Sequence, residues 1–413
     1  MSADIDLGRY LRSGDTVVIG QGTAEPRSLV EALIEQRHAV APLRLFVGGS
    51  FTGLLQLEHT DAFEYAGFGG VGRTATLTKA GVVDILPVHF GSLPRLMVEG
   101  RVRVDAVLVQ VSTANAAGEH SLGLVVDYLP AAMSVARTVL AEVNPHVPFT
   151  FGDTIVAADR FAAVVHDGRP LIHVERRAPL PEDEVIGDLV AAWIPDGATI
   201  QFGIGGTPDA VLARLHDRND LGVHSGLISD AVVGLIDAGV VTNRRKEIDA
   251  GVTVAGALFG SERLYAWAAE NPALAVRALS YTHDAGVLAS FGALFAINSA
   301  IEVDLTGQIN GEIAAGQYLG LVGGQGAFAR AAINSRSGRS IVALPSTARH
   351  GATSRIVTRL SGGITSVSRA DADLVVTEHG VADLRGATLR ERTQRLLAIA
   401  DPRHRDALRA GEP

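Results

Sequence analysis

The residues of this chain best placed to act on a ligand are glycines and histidines, not a cluster of acids or thiols. Gly20-Gln21-Gly22 and Gly203-Ile204-Gly205-Gly206 each follow a short apolar run and precede a helical one. A glycine turn lets backbone N–H groups approach a ligand, and the following helix points its N-terminus at a phosphate or a developing oxyanion. The same spacing also serves a tight strand–helix turn, so each turn carries two readings. Neither extends to a dinucleotide fingerprint: the third glycine is missing and no acidic residue follows a second strand in the required place. There is no G-x-x-x-x-G-K-[ST] phosphate loop, no G-x-S-x-G nucleophile elbow and no H-E-x-x-H. His224 and His379, both in glycine-containing turns, are the candidates for proton transfer, against a structural role for either. The histidines show no metal-ligand spacing, and the absence of cysteine excludes a thiol nucleophile, disulfides and thiolate metal sites. Phe68–Gly72 and Val322–Gly326 are two more glycine-rich stretches, read as surface connections.

The elements that must position these turns occur twice. Aligned on glycine, Ser13–Pro26 and Asp196–Pro208 match at Gly14/Gly197, Thr16/Thr199, Gly20/Gly203 and Gly22/Gly205, with a constant offset of 183 residues. Each copy reads as turn, apolar strand, G-x-G turn and helix (Ser28–Glu35 or Asp209–Leu215). Short apolar runs at Thr16–Ile19, Leu43–Val47, Ala106–Val111 and Val139–Val143 alternate with helical segments at Leu29–Glu35 and Ala131–Ala136. That alternation predicts an α/β fold with a largely parallel sheet covered on both faces. Arg177–Glu184, with two prolines and four charges, reads as a linker, followed by a helix from near Asp183 to Trp193. The expected domains are therefore 1–180 and 181–413. In the second half, strands are expected at Thr199–Phe202, Ser340–Leu344 and Leu374–Thr377. Asn298, Glu302, Asp304, Gln308 and Asn310 alternate with apolar residues as if on one polar-faced strand. The stretch ADLVVTEHGVADLRG around Leu374–Thr377 loosely echoes Asp105–Gly123. The tail Leu389–Ala410 reads as two helices broken at Pro402.

With 413 residues, 47% hydrophobic and 20% charged, the chain can fill two cores. A net charge of −9 argues against a nucleic-acid surface, and Arg244-Arg245-Lys246 reads as a solvated face. Met1–Tyr10 lacks the pattern of a signal peptide, and no apolar run is long enough to span a bilayer. A cytoplasmic protein is expected.

Several motifs carry a family likeness. Ile200–Leu215 (IQFGIGGTPDAVLARL), Asp220–Asn243, Ile297–Asn310 (INSAIEVDLTGQIN), Val322–Ala332 (VGGQGAFARAA), Ala343–Val357 and Val375–Arg392 resemble the acetyl-CoA hydrolase/transferase family, most of all its 4-hydroxybutyrate CoA-transferases. Gln110–Gly123 and Ala141–Asp153 agree, so the likeness spans nearly the whole chain. The resemblance implies two related CoA-transferase-type α/β domains, coenzyme A as acyl carrier, an acyl-CoA and a small carboxylic acid as partners, no metal or redox cofactor, and a homodimer. It also implies a glutamate nucleophile that forms an acyl–glutamyl anhydride and then a glutamyl–CoA thioester. Gly20, Gln21, Gly22, Gly203 and Gly205 would supply oxyanion or substrate contacts, and Gly323, Gly324 and Gln325 would contact CoA.

At the nucleophile the chain departs from the pattern. The family reads H-[ST]-E-M followed by S-D-G; this chain reads His224-Ser225-Gly226-Leu227-Ile228-Ser229-Asp230-Ala231. Gly226 stands where the glutamate is expected, and Leu227 and Ala231 change with it, as in a natural variant. Asp230 is expected to cap the next helix. Glu312 is the candidate replacement acid or base, and His224 a candidate general base. The expectation is hydrolysis of an acyl-CoA by activated water, at the thioester or at a β-keto C–C bond. Transfer through another carboxylate and non-catalytic acyl-CoA binding are the alternatives.

Overall fold

Short apolar runs without a polar side become strands buried on both faces, and this chain builds a sheet from them twice. A computed structural model describes residues 4–174 and 178–411. Thr16–Ile19 (β1), Leu43–Val47 (β2), Phe63–Gly67 (β3), Val83–Ile85 (β4), Ala106–Val111 (β5), Thr138–Val143 (β6) and Ala163–His166 (β7) form a seven-stranded sheet ordered β4-β3-β2-β1-β5-β6-β7. Every pairing is parallel. The central strands β1, β5 and β6 are buried at every position, the requirement for a parallel sheet covered on both sides.

In the second half, Thr199–Phe202 (β8), Gly222–Ser225 (β9), Leu294–Asn298 (β10), Arg339–Ala343 (β11), Leu374–Thr377 (β12) and Gly380–Asp383 (β13) run in the order β9-β8-β10-β11-β12-β13. All are parallel except the β12–β13 hairpin. Arg27–Glu35 (α1) joins β1 to β2, and Gly206–Ala213 (α2) joins β8 to β9. Gly14 (φ +83°) and Gly197 (φ +76°) make the left-handed turns into β1 and β8, which only glycine enters freely. The duplication therefore holds at the level of topology: β1 lies between β2 and β5, and β8 between β9 and β10. The looser echo does not. It pairs β5 with β12, whereas the strand in the place of β5 is β10.

The chain divides into two compact units: Met1–Val174, Val254–Thr282 and Tyr318–Leu321; and Glu175–Thr253, His283–Gln317 and Val322–Pro413. Two pieces of the second half of the sequence thus fold with the first. Val254–Thr282 makes bridges Val125↔Ala257, Asp127↔Ala278 and Gly152↔Val276. Tyr318–Leu321 lies against the loop after β3, where Gly70 N–H donates to Gly320 O (3.1 Å). Phe68–Gly70 is accordingly buried, not a surface connection.

Other local expectations change for physical reasons. Arg177 lies outside the described residues, but the rest of the expected linker runs into a helix, Pro181–Ala191, with Pro181 at its first position. Its acidic run is the first turn: Asp183 accepts from Leu180 N–H (3.0 Å) and from Thr207 Oγ1 (2.5 Å). The alternating stretch 298–310 is not one strand. Glu302–Asp304 folds back antiparallel on Ile309–Asn310, and Asp304 Oδ1 accepts the Thr306 and Gln308 amides (2.9 and 3.0 Å) inside the turn. Ser229 takes the N-cap position of the helix Asp230–Asp237, leaving Asp230 as a first-turn acid. Lys246 leaves the solvated face assigned to its run: it is buried, and Nζ donates to Val223 O (3.1 Å) and Val252 O (2.7 Å). In the tail, Leu389–Ile399 carries a Thr388/Glu391 capping box, and Pro402 opens the turn before Arg405–Ala410.

The interior of the first unit holds two carboxyls. Asp127, in the left-handed region (φ +40°), accepts from Gln21 Nε2 through Oδ2 (2.6 Å), while Oδ1 has no hydrogen-bond partner. Glu142 accepts from Ser28 N–H (2.5 Å) and from Gln110 Nε2 (3.1 Å), tying the start of α1 to β6. Burial raises both to about 7, against the opposing hydrogen bonds. Each acid is thus protonated in the folded protein at a pH where the unfolded chain has ionised. Stability falls as pH rises from about 4 to about 7 and levels off above, by at most about 3–4 kcal/mol per group. Asp127→Asn, whose amide also tolerates the left-handed backbone, should flatten this fall and raise the thermal midpoint at pH 8 relative to wild type. Parallel pH–stability curves for the two proteins would show that Asp127 is not its source.

Candidate active site

Each sheet ends at a glycine turn, but the two turns are used differently. In the first unit, Gly20 N–H donates to Leu108 O (2.8 Å) and Gly22 N–H to Gly49 O (2.7 Å), so both amides extend the sheet. Gln21 is buried; besides its bond to Asp127, its Oε1 accepts from Gly49 N–H (3.0 Å). A Cβ on Gly22 would lie 2.7 Å from the Phe259 ring. Gly20, Gln21 and Gly22 are together a packed corner of the first unit, and the amides of both glycines are committed to backbone carbonyls.

The second turn is open. Gly203 N–H donates to Ile297 O (3.0 Å), but around its Cβ direction only Asn298 Oδ1 comes within 4 Å, at 3.7 Å. Around Gly205 (φ +128°) the only such atom among the described residues, chain neighbours aside, is Pro208 Cδ, at 3.9 Å. Beside the turn, Gln201 and Asn298 exchange hydrogen bonds of 3.2 and 3.0 Å across β8 and β10. The first turn of α2 begins directly after Gly205.

One strand over, β9 carries His224 and Ser225 to its C-terminal end. Both are fully buried: Ser225 Oγ donates to Phe202 O (3.2 Å), and the His224 ring lies 4.9 Å from Phe291 and 6.5 Å from Phe328. Gly226 follows. A Cβ there would meet His283 Cε1 at 3.0 Å, His283 Nε2 at 3.4 Å and Phe328 at 4.0 Å. Gly323 (φ +60°), Gly324 and Gln325 open the helix Gln325–Asn334 (α3), and a Cβ on Gly324 would overlap His283 Nε2. Gln325 Nε2 is buried without a hydrogen-bond partner. The structure thus brings His224, Gly226 and the Gly323–Gln325 turn together around a residue that no sequence motif marks, His283. Its ring packs on Phe328 (4.8 Å, 68°), and burial, helped by neighbouring His224, lowers its pKa to about 3. The imidazole is neutral across the physiological range.

Other candidates lie elsewhere. Glu312 is buried beside the small sheet of Glu302–Asp304, Ile309–Asn310 and Ile356–Val357. Its Oε1 accepts from Ser366 Oγ (2.6 Å), and its N–H donates to Asn310 Oδ1 (2.9 Å). No carboxylate atom is among the described groups within 4 Å of a Cβ at 226. His379 is exposed in the β12–β13 hairpin, 3.7 Å from Glu378. Among the described residues no three or more acidic or histidine side chains are grouped to hold a metal ion, and no helix is long and apolar enough to cross a membrane.

Two sheets, largely parallel and built on one repeated βαβ unit, with a glycine-lined imidazole at the end of the second, describe an α/β protein of two related halves. Comparison with known proteins specifies the family. The acetyl-CoA hydrolase/transferase N-terminal domain matches residues 5–174 and the C-terminal domain residues 260–411. The 4-hydroxybutyrate coenzyme A transferase of Clostridium kluyveri is 36% identical over 398 residues, 95% of this chain and 92% of that protein. The succinyl-CoA:acetate/propanoyl-CoA:succinate CoA transferase of Fasciola hepatica is 31% identical over 97% of this chain and 84% of its own. The crystal structure of RipA from Yersinia pestis superposes with a TM-score of 0.93 at 32% identity, covering 98% and 94% of the two chains. This protein belongs to the acetyl-CoA hydrolase/transferase family and is an enzyme of that family.

The Glu312–Ser366 pair makes a checkable distinction between a structural and a reacting acid. Glu312→Gln and Ser366→Ala should each cost about 1–2 kcal/mol in urea unfolding, and the double variant little more than either alone. Costs that simply add would show that the two side chains do not share a bond.

Proposed function

We propose that this protein hydrolyses an acyl-CoA thioester by delivering water, not a protein carboxylate, to the thioester carbon. The supporting observation is position 226. Covalent exchange needs a carboxylate reaching from the end of β9, and there the backbone carries only hydrogen, faced by His283 and Phe328. CoA is the acyl carrier, held at the Gly323-Gly324-Gln325 turn, where the buried Gln325 amide has donors to spare. Beyond Gly203, whose N–H is given to Ile297 O, the Gly205 end of the turn and the start of α2 supply backbone donors for the tetrahedral oxyanion. The small carboxylic acid is then a product, and the chemistry calls on neither a metal nor a redox cofactor. The names of the transferase relatives favour a second reading, in which another carboxylate takes up the acyl group and passes CoA to an acid.

The two readings separate in heavy-oxygen water. The purified full chain, given acetyl-CoA, butyryl-CoA or acetoacetyl-CoA with no added acid, should release CoA and place heavy oxygen in the product acid. Borohydride or hydroxylamine trapping should leave every carboxylate unmodified by mass spectrometry. CoA release only in the presence of an acceptor acid, with a trapped glutamate or aspartate, would establish transfer instead.

A further inference from the structure

Resting on that hydrolytic reading, we propose that His283 is the catalytic base, seated in a slot formed by Gly226 and Gly324, and that both positions are glycine to make room for it. Two separate elements, the end of β9 and the start of α3, direct their missing side chains at one ring: a Cβ on Gly226 would meet Cε1 and Nε2, and one on Gly324 would meet Nε2 and Cδ2. Backbone conformation does not demand either glycine. Gly324 has φ −91° and ψ −9°, which any residue adopts, and Gly226 is not among the positive-φ glycines. At both positions the space a side chain would take is filled by the imidazole. A purely structural filler of that slot, against Phe328 and the apolar cluster of Phe291, Leu288 and Leu294, would be an apolar side chain. Of the two imidazoles here, His224 is fully buried behind Phe291, whereas His283 retains 8% exposure.

Chemically, burial holds the ring neutral at physiological pH, so it enters the reaction able to take up a proton. The water oxygen bonds to the thioester carbonyl carbon while a water proton passes to that nitrogen. The new imidazolium then lies beside the tetrahedral oxyanion, and this opposite charge restores the basicity that burial removes. On collapse the C–S bond breaks, the sulfur leaves with the electron pair and takes the proton from the imidazolium, and the carboxylic acid loses its own proton to solvent. Acyl-CoA and water become carboxylate, CoA and a proton, with His283 returned to its starting form.

The test measures acetyl-CoA hydrolysis and CoA binding on the full chain. His283→Gln keeps a polar side chain but cannot relay a proton. It should lower kcat by about 100-fold or more while KM and the calorimetric affinity for CoA change by less than about threefold. Gly226→Ala, which presses on the ring without removing it, should lower kcat by about tenfold, and adding His283→Gln to it should cost little further, because both act on one group. Folding is checked by the thermal transition; if His283→Gln does not fold, Gly226→Ala alone decides the question. Folded variants that keep kcat within about threefold of wild type overturn the assignment of His283. A wild-type protein that releases CoA only to an acceptor acid overturns the hydrolytic reading instead, whatever the variants do.

Discussion

A parallel strand buried on both faces must satisfy every backbone group through its neighbours, and this constraint organises both halves of the molecule. β1 and β8 sit between strands on either side, so their amides and carbonyls are used along their length. The ladder does not stop at the last strand residue. Gly20 and Gly203, one step beyond, still donate to Leu108 and Ile297. Only past that point is the chain released. In the first unit it is immediately recaptured by Gly49 and packed under Phe259. In the second it opens at Gly205 and enters a helix whose N-cap residue offers no side-chain cap. Two copies of one motif therefore end with different capacities, one as a corner and the other as an opening.

The same economy explains where polar groups are buried. Gln21 satisfies Gly49 and Asp127 at once, and Glu142 receives the first amides of α1. Burial raises these acids to about 7, so below that pH the first unit holds proton-bearing groups in its interior, where a bare charge would be costly. In the second unit, charged interior groups are matched: Arg339 and Arg385 both reach Asp373, and Asp383 completes the set. The imidazoles of His224 and His283 are placed among phenylalanines, and burial holds the His283 ring neutral.

Much of the architecture was legible in the sequence because its signals are local. Thr16–Ile19, Leu43–Val47, Ala106–Val111, Thr199–Phe202 and Leu374–Thr377 are strands at the limits expected from their apolar runs. The glycine alignment identified the repeated βαβ unit, since a left-handed turn before a buried strand needs glycine in both copies. Periodicity misled where a side chain competes with the ladder. Asp304 gathers its own turn and splits the stretch 298–310, and Lys246 finds carbonyls that an exposed run would not offer. The second echo failed because similar apolar strings occupy different places in the sheet order.

Residue type and order were enough to establish the family framework and the glycine turns, and they place a glycine at 226. They could not show that Gly226 and Gly324, nearly a hundred residues apart, face one ring, nor that the ring belongs to His283. A lone histidine between a threonine and an aspartate carries no local pattern. Folding brings the end of β9, the start of α3 and the segment beginning at His283 together. It also strips water from that imidazole, because burial belongs to the packed neighbours and not to the residue.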